Sequence, residues 1–166
     1  MKHRPDFQKG VPSKVSGVTS GDDALTRQTA LKILAALPED KRPKYLDLVP
    51  EEENEYDRDA IMVFAEVPSL GRVQIGYVKN SDCYCGMCGE PYSRFPSNGM
   101  CTVCNGKDIR REGMATALSQ EMRRDSTLRF YAMLLEVTGG GEKKSYGCNI
   151  MLKQVFDRKK FQSKKD

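Results

Sequence analysis

Two pairs of cysteines restrict what this chain can fold into more than any other feature. Cys85-Gly-Met-Cys88 and Cys101-Thr-Val-Cys104 stand twelve residues apart inside the stretch 81–107, which is dense in Gly, Pro, Ser and Cys and has no apolar periodicity. A segment like that has no core of its own, so something other than apolar burial must hold it. Two C-x-x-C knuckles can present four thiolates tetrahedrally, the donor set and shape that Zn²⁺ prefers. The small residues after each knuckle let backbone amides turn toward the sulfurs. A redox pair would want one knuckle at a helix start beside a βαβ unit, and disulfides fit poorly with a cytosolic chain. The expectation is one structural Zn²⁺ on Cys85, Cys88, Cys101 and Cys104, with the shell closed and no open position for catalysis.

Two other cysteines stand outside the knuckles. Cys83 could replace a ligand, although C-x-C gives a tighter bite, or it could be a bystander thiol. Cys148 falls in the last strand candidate, where a small core residue is the simplest reading. His3, the one histidine, sits in a polar tail. That leaves little material for histidine-based acid–base chemistry, and the expectation is a protein that is not an enzyme.

Outside the cysteine segment, periodicity gives the elements. Val15 to Val18 reads as a short strand, and Ser20-Gly21-Asp22-Asp23 offers capping oxygens to a helix that runs to about Leu37. Tyr45 to Val49, Ala60 to Val67 and Arg72 to Val78 alternate as strands do, the last two forming a hairpin over Pro68, Ser69 and Gly71. Asp108 to Arg124 has a helical pattern with Ala115, Leu118 and Met122 on one face. Leu128 to Val137 and Tyr146 to Val155 supply two further strands. Six short strands and two helices predict a mainly β (α+β) fold. Its centre is a small antiparallel barrel of OB or SH3-like type, with helices over its openings and the zinc ribbon inserted after the third or fourth strand.

The 166 residues carry a formal net charge of +4, but that charge is unevenly spread. Residues 153–166 hold six basic side chains against two acidic ones and residues 1–14 hold four against one, which leaves residues 15–152 at −3. Nucleic-acid contact must therefore come from a local patch or from the ends. The expected organisation is a basic flexible start over 1–14, a barrel over 15–152 interrupted by 81–107, and the end of the last strand with a basic flexible tail over 153–166. No stretch approaches the roughly 20 apolar residues of a membrane span, and no apolar run follows the basic start, so a cytoplasmic protein is expected.

Between the acidic turn that begins at Glu51 and the strand from Ala60 lies Asn54-Glu55-Tyr56-Asp57-Arg58-Asp59, followed farther on by Ile75-Gly76-Tyr77-Val78. The order N-x-Y-D-x-x-A-I-x-V, then I-G-Y-V, then a helix and two closing strands, resembles the HIRAN domain. The likeness covers roughly Val15 to Leu152 apart from the insertion. That family is a small β-barrel module without known catalytic activity of its own, fused to chromatin-remodelling helicases or free-standing in bacteria. The resemblance implies a pocket for the free 3′ end of single-stranded DNA. In it Asp57 meets the terminal hydroxyl, Tyr56 stacks on a base, and Tyr77 and Asn80 line the site. Thr19 and Ser20 stand where the DNA-binding members carry an Arg-Tyr pair. A plain structural reading stays open beside this one, with Tyr56 capping the barrel and Asp57 bonding the turn. Two further readings of the whole chain remain: a protein-interaction adaptor that docks through the zinc ribbon, and an accessory domain of a hydrolase or nuclease.

Overall fold

The computed structural model describes residues 5–19, 23–80, 83–92, 95–110, 113–141 and 144–155. His3, the capping candidates Ser20 to Asp22 and most of the basic tail, 156–166, lie outside them. The elements in chain order are β1 (Val11–Ser16), α1 (Ala24–Ala36), β2 (Tyr45–Pro50), β3 (Ile61–Val67), β4 (Gly71–Val78), β5 (Cys83–Cys85), β6 (Pro91–Tyr92), β7 (Ile109–Arg110), α2 (Met114–Arg124), β8 (Arg129–Thr138) and β9 (Gly147–Val155).

Six strands close an antiparallel barrel in the order β1-β4-β3-β2-β8-β9. The closure depends on β1, whose first half pairs with β9 (Val11↔Leu152 to Lys14↔Asn149) and whose end pairs with β4 (Val15↔Val78, Ser16↔Tyr77). One strand shared between two neighbours leaves no open sheet edge. Alternation then decides which side chains go inside. Ile61, Val63, Ala65 and Val67 of β3 are buried, as are Val73, Ile75 and Val78 of β4 and Cys148, Ile150 and Leu152 of β9. Ala30, Leu31 and Leu34 of α1 and Met114, Ala115 and Leu118 of α2 join the same core.

Two boundaries differ from the sequence reading. The start of the chain is not a free basic arm throughout: β1 begins at Val11, Phe7 is buried, and the Phe7 carbonyl accepts a hydrogen bond from the Gln154 amide at 2.8 Å. The Phe7 ring also meets Phe130 edge to face at 6.0 Å. Charge counting overlooked this because the apolar residues there, Phe7, Val11 and Val15, stand four apart with basic residues between them. The second difference is at Asp108. The helix begins at Met114, and Ile109–Arg110 is instead a strand that pairs with β5, so the inserted sheet (order β6-β5-β7) reaches past residue 107. The insertion follows the fourth strand.

Gly76 explains how β1 and β4 come together. Its φ is 154°, and a Cβ there would stand 2.4 Å from the Ser16 carbonyl oxygen and 2.6 Å from Val15 Cγ1. A side chain would force the two strands apart, so the Gly of I-G-Y-V serves barrel closure. The β3–β4 ladder shifts register at the same place, between Val63 and Phe64. Among the described residues no helix is long and apolar enough to cross a membrane.

Candidate metal centre and aromatic turn

The two knuckles are built alike, bond for bond. The Cys85 amide donates to the Glu90 carbonyl at 2.9 Å and the Cys101 amide to the Gly106 carbonyl at 2.8 Å; the Gly89 amide returns to the Cys85 carbonyl at 2.8 Å and the Asn105 amide to the Cys101 carbonyl at 2.9 Å. Each turn places the residue after its second cysteine at positive φ, Gly89 at 82° and Asn105 at 61°. Gly and Asn are the residues that reach this region most readily, so the sequence carries them there. Amides then point at sulfur: Met87 to Cys85 Sγ and Val103 to Cys101 Sγ, both at 3.3 Å, and Gly106 to Cys104 Sγ at 3.4 Å.

All four Sγ atoms lie within 4.8 Å of one another. Cys85 and Cys104 approach to 3.6 Å, as do Cys88 and Cys101. A regular tetrahedron with metal–sulfur bonds of about 2.3 Å has sulfur–sulfur edges of about 3.8 Å, whereas a disulfide is about 2.05 Å. The spacing thus suits four ligands around one ion, and the cluster could hold a metal. Cys83 is not part of it; its thiol lies 3.8 Å from the Tyr92 carbonyl. Cys148 is buried in the barrel, which pushes its thiol up to about 12.

Tyr92 is the member of this site that the cysteine spacing did not reveal. Its hydroxyl donates to Cys101 Sγ at 3.0 Å and accepts the Thr102 amide at 2.9 Å. Burial raises the Cys101 thiol, but the bond from Tyr92 and the amides of Cys104 and Val103 outweigh it and bring Cys101 down to about 6. Cys88 moves the other way, to about 12, through desolvation first and then through contacts with the three other thiols. Four thiols this close cannot all ionise without a cation among them.

The second set of predicted residues sits at the entry to β3. The turn is tied across its base by the Glu51 amide on the Ala60 carbonyl at 2.9 Å. Inside it, Asn54 Oδ1 accepts the amides of Tyr56 and Asp57, both at 2.9 Å, and Asp57 Oδ1 accepts the Asp59 amide at 2.9 Å. Arg123, near the end of α2, clamps the turn from outside, donating to Asp59 Oδ1 at 3.2 Å and to the Arg58 carbonyl at 2.6 Å. Asp57 bonds the turn as the plain reading has it, but Tyr56 does not cap the barrel. It is 98% exposed.

Tyr77 pairs with Met62, the second residue of β3, and with Ser16 at the end of β1, so it belongs to the same end of the barrel as the turn. The Arg27 guanidinium lies 5.8 Å from its ring centroid and donates to the Gly17 carbonyl at 2.9 Å. Asn80 is occupied elsewhere. Its Oδ1 accepts the Thr116 amide at 2.9 Å and its Nδ2 donates to Thr116 Oγ1 at 3.1 Å, which caps α2 from 36 residues away. Gly113, at the cap position, has no side chain to do this, and a Cβ there would lie 2.1 Å from Asn80 Oδ1. The structure therefore brings the four cysteines together and sets Tyr56, Asp57 and Tyr77 at one end of the barrel, while Asn80 serves the helix. No protein-family model, no curated protein and no solved structure matches this chain.

Proposed function

We propose that this chain is a non-enzymatic, HIRAN-type nucleic-acid-binding module of the cytosol, braced by one structural Zn²⁺ and recognising single-stranded DNA through its free 3′ end. The observation that carries the reading is Tyr56, a ring 98% exposed on a turn held by three side-chain-to-backbone bonds and an arginine clamp. Rigid presentation lowers the ordering cost of stacking, and an aromatic face accepts any base. Asp57 stands next to it with one carboxylate oxygen in the turn, and a carboxylate accepts a bond from a terminal hydroxyl while repelling a terminal phosphate. Fluorescence anisotropy with labelled single strands ending in 3′ hydroxyl or 3′ phosphate tests this. The hydroxyl end should bind more tightly, and Asp57→Ala should erase the difference. Equal binding of both ends by the unaltered protein at low salt would refute the end-recognition reading.

A second reading has its own observation. Met87 and Val103 occupy the same place in the two knuckles and are 50% and 62% exposed, with Phe95 also open to solvent. An apolar tip on a metal-held turn suits a protein-docking role for the ribbon. Absence of single-strand binding by the unaltered protein at low salt would favour it.

A further inference from the structure

The four sulfurs of the cysteine cluster meet in pairs that cross from one knuckle to the other. Cys85 Sγ lies 3.6 Å from Cys104 Sγ, and Cys88 Sγ lies 3.6 Å from Cys101 Sγ. Each pair joins a buried thiol to an open one, since Cys85 and Cys101 are buried while Cys88 and Cys104 are exposed. The pairs are nested in the chain, Cys88 and Cys101 inside Cys85 and Cys104, so one does not obstruct the other.

A disulfide needs its sulfurs about 2.05 Å apart, so each pair must close by about 1.5 Å, a distance that side-chain rotation covers. The backbone bonds that shape the turns, from the Gly89 amide to the Cys85 carbonyl and from the Asn105 amide to the Cys101 carbonyl, involve no sulfur and stay as they are. The two other cysteines are placed differently. Cys83 is buried with its thiol 3.8 Å from the Tyr92 carbonyl, and Cys148 is buried in the barrel core. Neither presents an exposed sulfur to an oxidant.

We infer that the cluster is also an oxidation site, at which a peroxide joins Cys85 to Cys104 and Cys88 to Cys101 and replaces a metal clamp by a covalent one. The exposed member of each pair reacts first. As a thiolate, the form that ligation to a metal enforces, Cys88 or Cys104 attacks the peroxide. Its sulfur takes one oxygen as a sulfenic acid, the O–O bond breaks and hydroxide leaves. The thiolate of the buried partner, 3.6 Å away, then attacks that sulfur; the S–O bond breaks, a second hydroxide leaves and the S–S bond forms. Each pair gives two electrons to one peroxide, so two peroxides convert all four thiolates, and an ion held by them loses its anionic ligands and is released. The release rests on the proposed zinc ligation, whereas the pairing rests on the sulfur geometry.

The test treats the full chain as purified, its metal content measured, with hydrogen peroxide in non-denaturing buffer, followed by alkylation, trypsin and mass spectrometry. Trypsin cuts after Lys79, Arg94 and Lys107, so Cys85 and Cys88 fall on peptide 80–94 and Cys101 and Cys104 on peptide 95–107. Crossed pairs appear as these two peptides joined, with partners assigned by fragmentation, while pairs within a knuckle leave them separate. Of the six free thiols, Cys83 and Cys148 alone should remain, with one zinc freed for every two peroxides consumed. After chelation, the amides of Gly89 and Asn105 should exchange slowly in the oxidised chain and fast in the reduced one. Pairs within a knuckle, a bond to Cys83, Cys85 bonded to Cys101, or no disulfide at all overturn the inference and leave standing any zinc found before oxidation. Crossed pairs in a chain that carries no zinc uphold the pairing and remove the zinc reading. Crossed pairs with fast exchange at Gly89 and Asn105 overturn the covalent clamp.

Discussion

Strand β9 turns Cys148, Ile150 and Leu152 into an apolar interior, whereas the module from Cys83 to Arg110 turns Cys85 and Cys101 inward and leaves Met87, Phe95 and Val103 at its surface. The first arrangement is a core in the ordinary sense, shared by six strands and two helices. In the second, Tyr84 is the residue that joins that core. The remaining order comes from two matched turns that aim amides at sulfur. The contrast shows how a chain can carry a segment too polar to fold by burial. With an ion among them, four thiolates would take over the work that apolar contacts do elsewhere, and metal ligation would become folding free energy.

The strongest break in this comparison comes from the ligands. Cys101→Ser removes one of the four thiols, so the purified variant should hold no stoichiometric zinc and the module should lose its dispersed amide signals while those of the barrel remain. Apparent zinc-binding energies of about 10–16 kcal/mol in comparable peptides set the scale of that loss. Retention of one zinc per chain by the variant would remove Cys101 from the ligand set. An interior substitution should do the converse. Ile150→Ala, at a fully buried position, should lower barrel stability by about 2–5 kcal/mol in urea titration, without changing zinc stoichiometry in the folded protein.

Acid sharpens the distinction. Binding the ion displaces thiol protons, so affinity rises with pH and falls on acidification. With Cys101 held down to about 6 from the usual 9, its stabilising contribution, present above the ordinary value, is lost as pH drops through about 6. Zinc release monitored with a colorimetric chelator should therefore steepen below that point, while barrel circular dichroism stays level. Release independent of pH would contradict the thiolate assignment. The smallest effect concerns the join between the two regions: Asn80→Ala removes the cap of α2 and should cost about 1 kcal/mol in barrel stability, with DNA binding unchanged. A binding loss without a stability loss would return Asn80 to the site.

The barrel was legible because its strands alternate cleanly, as in Ile61, Val63, Ala65 and Val67, and the convergence of four cysteines because C-x-x-C spacing has few other uses. Local pattern could not show what long-range contact decides. Ile109 and Arg110 read as the start of a helix, yet pairing with Tyr84 and Cys85 makes them a strand. Asn80 looked like a site residue beside Tyr77, and only the placement of α2 gives its amide to Thr116. Tyr92 had no periodic signal at all, because its role is one hydroxyl set between the Cys101 sulfur and Thr102. The full exposure of Tyr56 depends on how the turn from Glu51 to Ala60 is bonded within itself, which the residues N-x-Y-D suggest but do not orient.

Residue-resolved hydrogen exchange before and after removal of the metal tests the account most directly. Stripped of its ion, the protein should lose amide protection from Cys83 to Arg110, including Gly89, Asn105 and the strand amides of β5, while Ile61–Val67, Gly71–Val78 and Gly147–Val155 keep theirs. Simultaneous loss of protection in the barrel strands would show that the two regions form one cooperative unit and that the core does not stand without the metal.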